Sequence, residues 1–165
     1  MLKKFICSGE SKMQEDIDKK AVVQVLNHIL EMELAAVVCY THYSLMVYGY
    51  NRIPIVSWFR EQASGSLLHA NEAGELVTGL GDHPSLTIGP ILETHKHDIR
   101  DILQESLAIE KKTLNFYKDL LELTKDKSIM LEEYARKMIA EEETHCMEVD
   151  KMLRKPGDIE SVIHE

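Results

Sequence analysis

Glutamate and histidine recur at nearly the same separation in the two halves of this chain. Glu33 lies 36 residues before His69, and Glu110 lies 35 residues before His145. A turn-forming sequence lies midway between the members of each pair. In two antiparallel helices joined at such a turn, both members lie at the same height. The spacing therefore predicts two helical hairpins that each bring a carboxylate and an imidazole to one level, which suits a transition metal ion.

Glu142 adds a third carboxylate to this set. It precedes His145 by three residues, about one helical turn, so both side chains can reach one ion. A buried carboxylate is unfavourable unless it is paired or bound to a metal, and mixed oxygen and nitrogen donors suit Fe(II), Mn(II) or Zn(II). Three cysteines without a C-x-x-C motif argue against an iron–sulfur site: Cys7, Cys39 and Cys146.

Two tyrosines lie seven residues after glutamates of this set, two turns further along the same helical face. Tyr40 follows Glu33, and Tyr117 follows Glu110. We predict that their hydroxyl groups hold a neighbouring carboxylate as a second shell around the direct ligands. The alternative is that both are ordinary core tyrosines whose hydroxyl groups find other partners.

Apolar residues at steps of three and four predict the helices that position these side chains. The predicted helices cover residues 16–48, 54–80, 92–123 and 128–154. The longest stretch without a helical pattern, residues 81–90, lies between the second and third helices. This order predicts an all-α, antiparallel four-helix bundle with a long crossover. One domain, residues 16–155, would lie between an N-terminal tail, 1–15, and a C-terminal tail or short helix, 156–165.

The composition narrows the classes of partner. A formal net charge of −9 disfavours nucleic acid, because phosphate contacts need a basic surface. The sequence contains no run of 18 apolar residues, so we expect no membrane-spanning segment. An odd number of unpatterned cysteines is typical of free thiols in a reducing compartment, which predicts a cytoplasmic location.

Five segments give the chain a family resemblance. They are Glu33–Tyr40 (ELAAVVCY), His69-Ala70, Leu80–Leu86 (LGDHPSL), Leu107–Glu110 (LAIE) and Glu141–His145 (EEETH). Between Val23 and Leu153 the chain resembles the ferritin-like di-iron carboxylate proteins, and among them the bacterioferritins most closely.

The resemblance implies a function. It implies a di-iron centre that oxidises Fe(II) with dioxygen or peroxide, within a homo-oligomer such as a cage that stores the ferric mineral. It also implies that the five acidic and imidazole side chains are at once catalytic residues and metal ligands: Glu33, His69, Glu110, Glu142 and His145.

Two positions depart from the family pattern. Ser66 stands three residues before His69, where the family carries its second ligand glutamate. Since a serine hydroxyl is a poor metal ligand, the iron position served by the first two helices is expected to be weak, asymmetric, absent or filled by another divalent metal. Leu67 stands where bacterioferritins carry their haem-binding methionine, so no haem is expected.

Two other functions fit the same bundle. One is a ferritin-like oxygenase or a rubrerythrin-like peroxidase, although the chain has one Glu-x-x-His pair and no four-cysteine rubredoxin module. The other is a non-catalytic bundle whose metal site is degenerate, as the serine at position 66 suggests.

Overall fold

A computed structural model describes residues 17–92 and 94–162 of the chain. These residues form four α-helices and, within that part of the chain, no strand. The helices are α1 (Lys19–Met46), α2 (Arg52–Gly79), α3 (Ile99–Thr124) and α4 (Ile129–Leu153). The predicted all-α four-helix bundle with its long crossover is confirmed. The whole of the predicted N-terminal tail, 1–15, and the last three residues of the chain lie outside the described part.

Helices that pack side by side in the bundle run in opposite directions. A five-residue connection, 47–51, makes α1 antiparallel to α2, and a four-residue connection, 125–128, makes α3 antiparallel to α4. Helices α1 and α3 also pack together, and two hydrogen bonds fix their direction. Tyr40 on α1 donates to Glu110 on α3, whereas Tyr117 on α3 donates to Glu33 on α1. Because higher numbers on one helix meet lower numbers on the other, α1 and α3 are antiparallel.

Helix α3 begins seven residues later than the apolar pattern predicts, at Ile99 instead of position 92. His95 has a φ angle of 56°, a left-handed conformation that a right-handed helix cannot contain. The carboxylate of Asp98 then accepts a hydrogen bond from the backbone N–H of Arg100 at 2.9 Å, which caps the new helix. The crossover is therefore longer than predicted.

The crossover is fastened to α1 at Glu31. Its carboxylate accepts hydrogen bonds from the hydroxyl groups of Ser85, at 2.5 Å, and Thr87, at 2.7 Å. Its backbone carbonyl accepts a hydrogen bond from the N–H of Gly89 at 2.7 Å. A Cβ atom on Gly89 would lie 2.6 Å from Sδ of Met32, so only glycine allows this close approach.

Two apolar clusters fill the bundle, one on each side of a polar layer. The first contains buried residues such as Leu26, Ala73, Leu120 and Met138. The second contains buried residues such as Tyr43, Phe59, Ile102 and Val149. Removing such side chains from water supplies about 1.5–3 kcal/mol each for the larger ones. The clusters therefore hold the helices in register, and with them the polar side chains between the two layers.

By length and composition alone, helix α1 is long and apolar enough to cross a membrane. The sequence analysis expected no such helix, because the chain has no run of 18 apolar residues. A buried helix in the core of a bundle passes the same test, and just over half of the apolar window of α1 is buried here. The hydropathy of α1 is accounted for by its packing on α2 and α3.

Candidate metal centre

Two groups of three side chains converge at the middle of the bundle. The first consists of Glu33, His69 and Glu142, and the second of Glu110, Glu142 and His145. Within each group, one donor atom per residue lies within 4.8 Å of the others. Glu142 belongs to both groups, so its carboxylate lies between the two potential ion positions. All five side chains singled out from the sequence meet here, and each of the four helices contributes at least one.

The first group is deeply buried. Nδ1 of His69 lies 3.5 Å from a carboxylate oxygen of Glu33 and 3.5 Å from one of Glu142. Glu33 and Glu142 are each 2% exposed, and His69 is 7% exposed. The imidazole thus turns Nδ1 toward the carboxylates and its other nitrogen away from them.

The second group is more open. Nδ1 of His145 lies 3.7 Å from Oε2 of Glu142 and 4.0 Å from Oε2 of Glu110. The side chain of His145 is 32% exposed, although both carboxylates are buried. This histidine is the part of the site that solvent reaches most easily.

The two tyrosines bind the carboxylates of opposite hairpins. The hydroxyl of Tyr117 donates to Oε1 of Glu33 at 2.8 Å, and that of Tyr40 donates to Oε1 of Glu110. Both tyrosines are fully buried. Each hydroxyl therefore fixes one oxygen of a carboxylate and leaves the other free to bind an ion, the geometry that the seven-residue spacing predicts.

Burial and mutual repulsion shift the pKa values of the site. Burial raises the pKa of Glu33, and burial together with Glu142 raises the pKa of Glu110 well above its usual range. Burial alone would raise the pKa of Glu142, but interactions with Glu110, His145 and His69 lower it. Burial disfavours the charged form of His69, yet Glu142 and Glu33 outweigh burial and raise its pKa to about 10.

These properties fit a divalent cation. Oε2 of Glu142 is buried and has no hydrogen-bond partner among the described residues. An unpartnered buried carboxylate oxygen is costly, and a bound cation removes that cost. Three carboxylates with two imidazoles and no thiolate form a donor set suited to first-row transition metals.

Position 66 itself is buried, and the open space at the edge of the site lies at its neighbour Gly65. Ser66 is 8% exposed and belongs to neither donor group. Next to it, a Cβ atom on Gly65 would meet nothing within 4 Å. A groove of about 500 Å³ between α2 and α4 is lined by Gly65, His69, Glu141 and His145 among others. Solvent therefore reaches the partly exposed His145 along the α2–α4 face, and the buried His69 borders the same groove.

Glu141 also contacts the site, although no pattern in the sequence indicated it. Oε2 of Glu141 lies 3.3 Å from Nε2 of His69. A carboxylate at Nε2 favours a proton there and leaves Nδ1 to face the ion position. The contact crosses from α4 to α2, so spacing within a single helix carried no signal for it.

The contacts of one buried carboxylate, Glu105, were also not predicted from the sequence. Glu105 is 6% exposed, accepts a hydrogen bond from the hydroxyl of Tyr43 at 2.9 Å, and accepts another from the hydroxyl of Thr94. It lies outside both donor groups. Glu105 joins α1, α3 and the crossover, and we assign it no role in ion binding.

The pattern that defines the ferritin-like domain matches residues 23–157 of the chain. Since this match covers most of the chain, the protein belongs to the ferritin-like family. Among curated protein sequences, none matches the chain significantly.

Solved structures with the same fold include three bacterial proteins. A ferritin-like di-iron carboxylate protein of Bacillus anthracis is 26% identical, with a TM-score of 0.78, over 83% of this chain and 98% of its own. A dodecameric thioferritin of Bacteroides fragilis, a bacterioferritin-related protein, is 22% identical, with a TM-score of 0.78, over 86% of this chain and 89% of its own. Rhodobacter capsulatus bacterioferritin, whose structure has haem iron and a metal-free dinuclear site, is 22% identical, with a TM-score of 0.71, over 80% of this chain and 82% of its own.

Leu67 lies at the position where the resemblance placed a haem-binding methionine, and it is 46% exposed. That this chain binds no haem remains a prediction.

Proposed function

We propose that this protein binds Fe(II) as a substrate at the two donor groups, oxidises it with dioxygen or peroxide, and stores the ferric product. The observation that carries the proposal is the sharing of Glu142 between two three-residue groups at the middle of the bundle. A shared carboxylate favours the binding of two cations close together. Two neighbouring Fe(II) ions can supply two electrons at once, as reduction of dioxygen to peroxide requires.

The chain's own residues would hold the substrate ions and balance their charge. Each Fe(II) loses one electron, and dioxygen takes up two electrons and two protons to become hydrogen peroxide. Glu33, Glu110 and Glu142 neutralise the positive charge that grows as the ions are oxidised. The hydroxyl groups of Tyr40 and Tyr117 keep the carboxylates of Glu110 and Glu33 oriented during this change.

We also infer that the protein functions as a homo-oligomer. Large apolar side chains are exposed near the α1–α2 connection and on the crossover: Tyr48, Tyr50, Ile53 and Leu86. Contact between copies would bury them. The Bacteroides fragilis thioferritin of the same fold is a dodecamer, which is consistent with a closed assembly of many subunits.

A metal-binding bundle without turnover is the second candidate, because Ser66 stands where the family pattern has a further ligand glutamate, three residues before His69. Elemental analysis of the purified protein and a ferrous oxidation assay together separate the two functions. The first candidate requires two irons per chain and turnover. The second requires bound metal without turnover.

The decisive experiment follows ferrous oxidation by near-ultraviolet absorbance. We expect Glu110→Ala and His145→Ala to slow the initial rate by about 100-fold or more, since each removes a donor from the second group. Glu143→Ala is the matched control, because Glu143 is an exposed carboxylate on the same helix, paired with Lys118 at 3.4 Å. Oxidation by both donor variants at the rate of the parent would contradict the proposal.

A further inference from the structure

Helices α2 and α4 leave a gap between their backbones. In α1–α2, α3–α4 and α1–α3, Cα atoms of the two helices approach within 8 Å, whereas α2 and α4 have no such approach within the described residues. Long side chains bridge the gap, as where Nζ of Lys137 lies 3.5 Å from Oε1 of Glu72. Of the four sides of the bundle, the α2–α4 side is therefore the least closed.

A groove in this gap lies near the C-terminal end of α2 and the N-terminal end of α4. It has a volume of about 940 Å³, and we call it the Tyr134 groove. Apolar side chains make up much of its lining: Leu76, Leu80, Met130 and Tyr134. Met130 is 60% exposed, so the groove leaves apolar surface in contact with water. Covering such a surface with a peptide segment is favourable, because apolar area is removed from water.

The rim of the Tyr134 groove is acidic. Three glutamates border it against one lysine: Glu72, Glu75, Glu133 and Lys137. Lys137 is already paired with Glu72, at 3.5 Å, and with Glu141, at 3.9 Å. Neither Glu75 nor Glu133 belongs to an ion pair within the described part of the chain. The excess of negative charge favours an occupant that combines apolar with basic side chains.

A segment of this chemistry lies at the start of the sequence, outside the described residues. Residues 2–6 have the sequence LKKFI, which combines three apolar side chains with two lysines. Residues 8–16 have the mostly polar sequence SGESKMQED, a composition typical of a linker. The chain therefore joins a basic, apolar segment to α1 through a polar connection.

This connection meets the bundle at the end where the Tyr134 groove lies. Ile17 packs against the first apolar cluster, as Leu76 and Leu80 of the groove also do. Lys19 reaches the residue that follows Leu80, since its Nζ lies 3.6 Å from the position of a Cβ atom on Gly81. The N-terminal segment is thus tethered close to one end of the groove.

The tether is long enough for the segment to reach the whole groove. Nine residues, 8–16, span up to about 30 Å at about 3.3 Å per residue. The groove follows α2 from residue 71 to residue 80, which is about 14 Å at 1.5 Å per residue. A tether of this length holds the segment at an effective concentration of about 1 mM near the groove, so even weak binding is populated.

We propose that residues 2–6 bind in the Tyr134 groove of their own chain as an extended segment, with their apolar side chains on the apolar lining and their two lysines at the acidic rim. Successive side chains of an extended segment point to opposite sides. Lys3 and Lys4 therefore face opposite walls, where Glu75 stands on α2 and Glu133 on α4. The interaction covers part of the α2–α4 side and needs no metal ion, so it goes beyond the proposed function and does not depend on it.

The test uses Cys7, which directly follows the segment, in the full chain. Gly79→Cys introduces a thiol at the groove, and Gly74→Cys is the matched control on the same helix but outside the lining. A Cβ atom at either position would meet nothing within 4 Å. With oxidised glutathione, we expect the disulfide to Cys7 to form about tenfold faster in Gly79→Cys, as measured by peptide mass spectrometry. Cys39 and Cys146 are buried and react slowly in both variants.

Charge variants in the Gly79→Cys protein test the acidic rim. Lys3→Glu with Lys4→Glu should slow disulfide formation several-fold at low ionic strength, and Glu75→Lys with Glu133→Lys should do the same, since each pair of substitutions places like charges together. All four substitutions combined should restore the rate, because the charges then attract again. A combined variant as slow as the two partial ones would contradict the pairing of the lysines with the rim.

Two other outcomes overturn the proposal. Equal rates in Gly79→Cys and Gly74→Cys would show that the segment does not bind in the groove. Disulfide-linked dimers in place of bonds within one chain would show that the segment binds a second copy. If Gly79→Cys does not fold, Met130→Cys on the opposite wall replaces it. Its control is then Ile129→Cys, which is 69% exposed and lies outside the lining.

Discussion

At the scale of single residues, the two histidines of the site have different surroundings. His69 is buried, and Glu141 contacts the nitrogen that faces away from the donor group. His145 is 32% exposed and borders the groove. Because Glu141 orients one imidazole while solvent reaches the other, we expect the position at His69 to be more rigid and the position at His145 to exchange ions faster.

Cation binding should release protons from the site. The pKa of His69, raised to about 10, means that its imidazole holds a proton at neutral pH in the metal-free protein, and burial raises the pKa of Glu110, which favours its protonated form. A cation must displace these protons, so affinity rises with pH, by up to about tenfold per unit for each proton released. Calorimetry of Mn(II) binding in buffers with different ionisation enthalpies counts the protons.

A pair of histidine variants tests whether His69 is one source of the released protons. His69→Gln should release one proton fewer than the parent, whereas His83→Gln, at an exposed position of the crossover, should release the same number. Mn(II) affinity that stays constant around neutral pH would show that the site is already deprotonated.

At the scale of helices and connections, the start of α3 depends on one capping residue. The carboxylate of Asp98 accepts a hydrogen bond from Arg100 N–H at 2.9 Å, directly after the left-handed turn at His95. This cap sets the register of α3, and with it the height of Glu110 in the bundle. The start of α3 is therefore coupled to the geometry of the metal centre.

Removal of the cap should destabilise the metal-free protein. Asp98→Ala is expected to lower the free energy of unfolding by about 1 kcal/mol, because an N–H at the helix start loses its partner. Urea unfolding followed by circular dichroism measures the change. Gln104→Ala, at an exposed position inside the same helix, is the control and should change stability by less than about 0.5 kcal/mol. Equal stability of Asp98→Ala and the parent would contradict this role.

The sequence was informative wherever a regular spacing of residues carried the signal. Apolar periodicity predicted the four helices, and the nearly equal spacing of Glu33–His69 and Glu110–His145 predicted which side chains meet. The sequence could not reveal contacts that no such spacing marks, such as Glu141 with His69 or the joining of Glu105 to the crossover. The late start of α3 was also missed, because an apolar pattern continues through residues whose backbone is not helical.

At the scale of the whole molecule, the crossover is a packed part of the bundle. Three hydrogen bonds to Glu31 attach it to α1, only two residues before the ligand candidate Glu33. The close approach of Gly89 to Met32 makes this attachment depend on the absence of a side chain. Displacement of the crossover would therefore disturb α1 next to the metal centre.

Gly89→Ala should weaken the fold. The added methyl group would lie 2.6 Å from Met32 Sδ and 3.2 Å from the carbonyl oxygen of Glu31, so the two segments must separate. The expected loss is about 1–3 kcal/mol of unfolding free energy, measured by urea denaturation. Gly74→Ala is the control, with an expected effect of opposite sign. A Cβ atom at position 74 would meet nothing within 4 Å, and alanine should stabilise α2 by about 0.5–1 kcal/mol. A stabilising effect of Gly89→Ala would show that the crossover is loosely attached.

The exchanged hydrogen bonds, Tyr40 to Glu110 and Tyr117 to Glu33, tie each carboxylate to the hairpin that does not carry it. A polypeptide cut between α2 and α3 would yield two fragments, neither of which holds its own glutamate in place. Because ordered ligands exist only after the fragments associate, Mn(II) added to separately produced halves should promote their reassembly, and a chelator should slow it. Centrifugation of the mixed fragments would reveal such complementation as a single species of combined mass.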